Sequence, residues 1–99
     1  MSRHYLYILS TKKNGTLYVG VTHNIARRLQ EHKTSLIPGF SSQYNISILV
    51  HLEEFSLMSD AVAREKKLKK WNRAWKIQLI EERNPEWKDL SQFLLSDCL

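Results

Sequence analysis

Two short runs of strand-forming residues, His4 to Leu9 and Thr16 to Val21, flank an Asn14-Gly15 pair near the start of the chain. Asn-Gly supplies the positive φ that a tight reversal needs, so this spacing predicts a β-hairpin over the first 21 residues. A lone hairpin is at best marginally stable in water, so other elements must cover it. Ile46 to Glu53 predicts a third strand, with Ile46, Ile48, Val50 and Leu52 on one face. Asn24 is a plausible N-cap for a helix running to about Lys33, with Ile25 and Leu29 turned inward. A loop around Pro38-Gly39 follows, from Ser35 to Tyr44.

A second helix is expected from about Ser59 to Trp71 and a third from Arg73 to Arg83, the latter capped by Asn72. Asn84-Pro85 ends it, because a residue before proline avoids the α region. A short last helix is expected from Trp87 to about Leu95. The order ββαβααα implies an α+β fold: a small, three-stranded, mostly antiparallel sheet flanked by helices. At 99 residues the chain is read as a single domain, 1–99.

Bulk properties exclude several classes. No apolar run approaches the roughly 20 residues of a membrane span. The start of the chain lacks the h-region of a signal peptide, and a cytoplasmic location is expected. Cys98 is the sole cysteine, so neither an internal disulfide nor a zinc site of paired cysteines can form. The net charge of +5 is uneven. Residues 64–76 hold Arg64, Lys66, Lys67, Lys69, Lys70, Arg73 and Lys76 against one acid, Glu65. Such a cluster suits a polyanion, although a solvated helix face would look the same.

Glu65 is the most informative residue. It falls at helical neighbour spacing from Met58, Ala61, Val62 and Leu68, in the middle of an apolar stripe. A carboxylate there must be paired or bind a metal. A salt bridge to Arg27 or Arg28 is one solution and a metal ion is the other.

Tyr5 and Tyr7 share a face of the first strand, and Tyr18 stands on the second, followed by Val19-Gly20. Tyrosines pack well in hairpins, but a glycine inside a strand implies a bulge or a close backbone approach. Arg28 and His32 lie four apart on the first helix, where a guanidinium fork beside an imidazole suits phosphodiester chemistry or is merely surface. His4, His23 and His51 form no metal-binding spacing.

Together these residues resemble the signature of the GIY-YIG endonuclease superfamily. Tyr5-Leu6-Tyr7 stands where that family has Gly-Ile-Tyr, and Tyr18-Val19-Gly20 where it has Tyr-Ile-Gly, with Tyr7 and Tyr18 eleven residues apart. Arg28, His32 and Glu65 follow in the family's order, and the likeness extends from Tyr5 to about Trp87. The tail, including Lys69 to Lys76 and Asn84 to Trp87, resembles the small single-domain bacterial branch, the YhbQ-like proteins.

The resemblance implies a metal-dependent endonuclease acting on DNA, structure- or single-strand-selective, with a role in repair or recombination. It implies Glu65 as ligand to one Mg²⁺ or Mn²⁺ and Arg28 on the scissile phosphate. Tyr7 would be the general base, Tyr18 a hydrogen-bonding partner and His32 a relay or alternative base. A phenol's ordinary pKa of about 10 obliges a nearby cation, Arg28 or the metal, to lower that of Tyr7. Lys66, Lys67, Lys69, Lys70, Arg73 and Lys76 would contact the nucleic acid, and Trp71 or Trp75 could stack on a splayed base. Asn84, or Asn72, would match a late family asparagine. The alternatives are a nucleic-acid-binding module without catalysis and a protein-interaction domain.

Overall fold

The computed structural model describes residues 3–33 and 48–91, and side chains within 3–30 and 48–91. Its elements are β1 (His4–Ser10), β2 (Leu17–Thr22), α1 (Ile25–Lys33), β3 (Ile48–Phe55), α2 (Met58–Lys70) and α3 (Arg73–Arg83). The sheet is antiparallel throughout, in the order β2-β1-β3. The α+β architecture expected from the pattern is the one observed. Ile46, the loop at 35–44 and Cys98 lie outside the described residues.

The hairpin forms with a different division of labour in its turn. Asn14 adopts the left-handed conformation, φ 59°. Gly15 is needed for closeness instead: a Cβ there would collide with the Thr11 hydroxyl and the backbone of Lys12. Asn24 caps α1 by accepting from the Arg27 amide at 3.1 Å. Asn72 caps α3 by accepting from the Trp75 amide at 2.9 Å.

Alternation along β1 sends its residues to two cores. Leu6 and Ile8 pack with Val19, Val50, Leu68 and Ile80 under α2 and α3. Tyr7 and Leu9 pack with Leu49 and, as expected, with Ile25 and Leu29 of α1. The central strand is therefore buried on both faces, and the sheet lies between α1 and the α2–α3 pair.

The strict alternation expected for β3 does not hold. Ile8 pairs with His51 and Leu9 with Leu49, so Val50 is an extra residue in the ladder. A bulge of this kind shifts the side-chain phase by one. Ile48 and Val50 consequently face α2 and α3, whereas Leu52 packs on the α1 side.

The chain after α3 covers the bulged strand. The Asn84 side-chain amide donates to the Val50 carbonyl at 3.1 Å and to the Lys88 carbonyl at 2.9 Å, and its oxygen accepts from the Lys88 amide at 2.9 Å. Leu49 donates to the Asp89 carboxylate and accepts from the Leu90 amide. This cover leaves no helix at Trp87, whose φ of 57° places it in the left-handed region. Helical geometry is reached at Ser91, and the rest of that expected helix lies outside the described residues.

Asn84→Ala removes three hydrogen bonds and leaves the Val50 carbonyl buried without this partner. The expected loss of unfolding free energy is about 2–3 kcal/mol, measured by urea denaturation. Native stability in that variant would show that the tie does not hold the bulge.

Candidate active site

The site begins with a cross-strand pair. Tyr7 on β1 lies opposite Gly20 on β2, so both face the same side of the sheet, and Tyr18 shares that side two residues earlier. A Cβ built on Gly20 would sit 2.5 Å from the Tyr7 hydroxyl and 2.6 Å from its ring. The Tyr7 phenol lies across the bare glycine, which is the close approach that a glycine in this strand implies. Tyr18 stacks beside it, with ring centroids 6.1 Å apart and planes at 29°.

Arg28 and Glu65 both reach this phenol electrostatically. Arg28 comes from α1, next to the buried Leu29. Glu65 comes from α2, between the buried Ala61 and Leu68. Side chains from α1 and α2, on opposite faces of the sheet, thus both act on the charge of the Tyr7 phenol. The Glu65 side chain is 22% exposed, and its ion-pair partner is Lys69, one turn on, at 3.4 Å. Met58, expected on the same apolar stripe, is 46% exposed.

Burial pushes the Tyr7 phenol well above its ordinary value, and Tyr18, through charge and a hydrogen bond, and Glu65 push the same way. Arg28 pulls down but is outweighed. Of the two cations expected to lower this pKa, Arg28 alone does not do so. Side-chain position for His32, one turn beyond Arg28, lies outside the described residues.

The cationic cluster divides. Lys66, Lys67, Lys69 and Lys70 are exposed on α2, and Lys76 is half-buried. Arg73, also exposed, places its guanidinium 2.6 Å from the carbonyls of Asn14 and Gly15 and fastens the hairpin turn to α3. Arg64 makes a fork onto Glu53, at 3.0 and 3.1 Å. Asn84 and Asn72 both serve the backbone, as described above.

The Arg64–Glu53 fork belongs to a brace that sequence reasoning missed. His51, 3% exposed, approaches Glu53 at 2.8 Å, and Arg64 also lies over the Trp71 ring, 5.4 Å from its centroid. The available signal was the spacing of His51 and Glu53, which puts them on one strand face. The brace ties β3 to α2 beside Glu65.

Among the described residues no three His, Cys, Asp or Glu side chains gather as a metal-ligand cluster. Glu65 offers a single hard oxygen donor with access to solvent. That donor chemistry fits Mg²⁺ or Mn²⁺, which keep much of their water and take one or two carboxylates.

Comparison with known proteins shows the family to which the chain belongs. The GIY-YIG catalytic domain matches residues 3–78, a span that contains Tyr7, Tyr18, Gly20, Arg28, His32, Glu65 and Asn72 but not Asn84. The chain belongs to the GIY-YIG family, a family of nucleases. Within it, the similar proteins are UPF0213 proteins. The one from Syntrophus aciditrophicus is 43% identical over 90 residues, covering 87% of this chain and 98% of that protein. The one from Staphylococcus haemolyticus is 36% identical over 83 residues, covering 84% of this chain and all of that protein. The solution NMR structure of a UPF0213 protein from Bacillus halodurans superposes with a TM-score of 0.57 at 26% identity, covering 91% of this chain and 95% of that one.

Two outcomes test the site's construction. Gly20→Ala forces the Tyr7 phenol aside in a packed core and is expected to cost about 1–3 kcal/mol, read by denaturation together with a changed tyrosine near-UV circular dichroism signal. Unaltered stability and spectrum would mean that Tyr7 swings clear freely.

The second concerns Glu53. Burial raises its carboxyl, but hydrogen bonds from His51 and Arg64 outweigh that and hold it at about 2, against 4.5 ordinarily. A depressed carboxyl contributes stability in full above the unfolded value and loses it as pH falls toward the folded one. Stability should therefore drop between pH 4.5 and 2, by on the order of 3 kcal/mol from this group. Glu53→Gln should flatten that part of the profile; an unchanged slope would remove the brace from the acid response.

Proposed function

We propose that this protein hydrolyses phosphodiester bonds in DNA with one divalent cation, Mg²⁺ or Mn²⁺, held at Glu65. The observation that carries this reading is the Tyr7 phenol laid across the bare Gly20 and stacked on Tyr18, where Arg28 and Glu65 also act on its charge. An acid, a fixed cation and a proton-transfer group at one place are what a pentavalent phosphate needs. Arg28 donates to the phosphate oxygens and steadies the charge that grows on them. Tyr7 accepts the proton of the attacking water, which requires its phenolate. Tyr18 hydrogen-bonds Tyr7, and His32 relays protons or takes the part of the base. A cation on Glu65, when bound, supplies positive charge to the leaving oxygen and to the neighbourhood of Tyr7.

Lys66, Lys67, Lys69, Lys70 and Lys76 hold the nucleic acid backbone. Their contacts are to phosphate and carry no sequence information, which favours recognition of structure, single-stranded or branched DNA, of the kind handled in repair and recombination. No helix among the described residues is long and apolar enough to cross a membrane, and we place the activity in the cytoplasm.

The test is a panel of labelled single strands, flaps and junctions incubated with and without Mg²⁺ or Mn²⁺. Cleavage should require the metal. Glu65→Ala should abolish it with the fold retained; undiminished cleavage would end the assignment of Glu65. Arg28→Lys keeps the charge but loses the planar fork. Its single-turnover rate should fall about a hundred- to a thousandfold with binding little changed. A native rate would show that Arg28 does not act on the transition state.

A further inference from the structure

Trp75 stands on α3 with 55% of its surface exposed, a large apolar side chain left open to water. It meets Trp71, at the junction of α2 and α3, edge to face, with ring centroids 5.9 Å apart and planes at 86°. Trp71 is itself held in place. The Arg64 guanidinium covers its ring, and Arg64 is forked onto Glu53 of the sheet. Trp71 is thus a fixed wall and Trp75 an open platform.

Trp71, Trp75, Gln78, Leu79 and Glu82 line a cavity of about 260 Å³. Aromatic and aliphatic walls suit a flat, apolar-faced guest. The polar groups define the edge of that guest. The Gln78 amide both donates and accepts, while the Glu82 carboxylate only accepts, so it suits an exocyclic amino group better than the N3–H of thymine, which sits between two carbonyl oxygens that repel a carboxylate.

The approach to the cavity is cationic. Lys66, Lys67, Lys69 and Lys70 are exposed on the half of α2 that leads into Trp71. Glu65 precedes Trp71 by six residues, a rise of about 9 Å along a helix. At about 100° per residue Trp71 also lies about 240° round from Glu65, with Lys66, Lys67, Lys69 and Lys70 spread between them, so a strand from Glu65 to the tryptophans would cross the lysines. Flat stacking surface beside phosphate-binding cations is the combination that holds single-stranded nucleic acid.

We propose that this cavity receives one unpaired nucleobase, stacked on Trp75, with preference for a base bearing an exocyclic amino group. The proposal rests on the reading of the protein as a DNA-cleaving enzyme and adds to it a site for a base of the bound strand.

The full chain is titrated with fluorescein-labelled dC and dT oligonucleotides, and with dC oligonucleotides carrying abasic positions, in EDTA so that nothing is cleaved. Trp75→Ala should weaken dC binding about five- to a hundred-and-fiftyfold, the range of a lost base–aromatic stack, while Trp75→Phe keeps most of the affinity. Native protein should bind dC more tightly than dT, and Glu82→Gln should narrow that gap. Abasic strands should bind weakly and ignore Trp75→Ala.

Native dC affinity in Trp75→Ala overturns the base site; continued salt-dependent binding and metal-dependent cleavage then leave the nuclease reading standing. Equal affinity for dC and dT overturns the amino preference. A change in sedimentation mass on Trp75→Ala, without a change in DNA affinity, gives the face to self-association instead. Absence of both binding and cleavage in the native protein overturns both readings.

Discussion

The contact between the Tyr7 phenol and the bare Cα of Gly20 sets the terms for the rest of the molecule. A side chain at position 20 would occupy the space of the ring, so the ring's place is decided by backbone, which cannot yield. Once Tyr7 is laid across β2, Tyr18 has one place to stack. The same burial that fixes the ring also keeps its proton on. Rigidity and basicity are opposed here. In the proposed reaction Tyr7 would take a proton although its burial disfavours ionisation, and added positive charge would have to reverse that.

Such charge would come from Arg28 on α1 and from a cation held by Glu65 on α2, neither of which belongs to the sheet. The α2 helix carries Glu65, and what orients α2 is the fork between Arg64 and Glu53, backed by His51. A helix gripped at one residue presents the next in a definite direction, because successive side chains are turned by about 100°. The grip in turn depends on the bulge at Val50, which brings Val50 and His51 opposite Ile8. Asn84 then ties the bulged carbonyl to the chain after α3. A single extra residue in β3 is thereby connected, through four side chains, to the position of a carboxylate on another element.

The parts of this arrangement that were legible in the sequence are the periodic and the local ones. Alternation around Asn14-Gly15 gave away the hairpin, and Asn24 and Asn72 announced their helices because a cap is decided within three residues. Glu65 stood out by interrupting a stripe, and Gly20 by weakening a strand. The bulge had no such mark: Ile48, Val50 and Leu52 alternate faithfully, and only pairing with β1 shows that the ladder slips. Arg64 and Arg73 were hidden in a run of like charge, where composition cannot tell a cation turned to solvent from one turned to a carbonyl. Trp87 read as a helix start because its left-handed backbone serves a tertiary need, the cover over β3, which no local pattern records.

The arginines that brace the fold and the lysines of α2 differ in what they can do. Arg3, Arg64 and Arg73 hold the molecule to itself, by a carboxylate, a carboxylate and a pair of carbonyls. The open flank of α2 carries lysines. An ammonium group is a mobile point charge with no preferred plane, so it can leave one phosphate for the next without breaking a fixed geometry. A polyanion lying on such a flank would be gripped firmly across its length and loosely along it. It could creep past the tyrosine pair one phosphate at a time, and the surface would act as a track rather than a clamp.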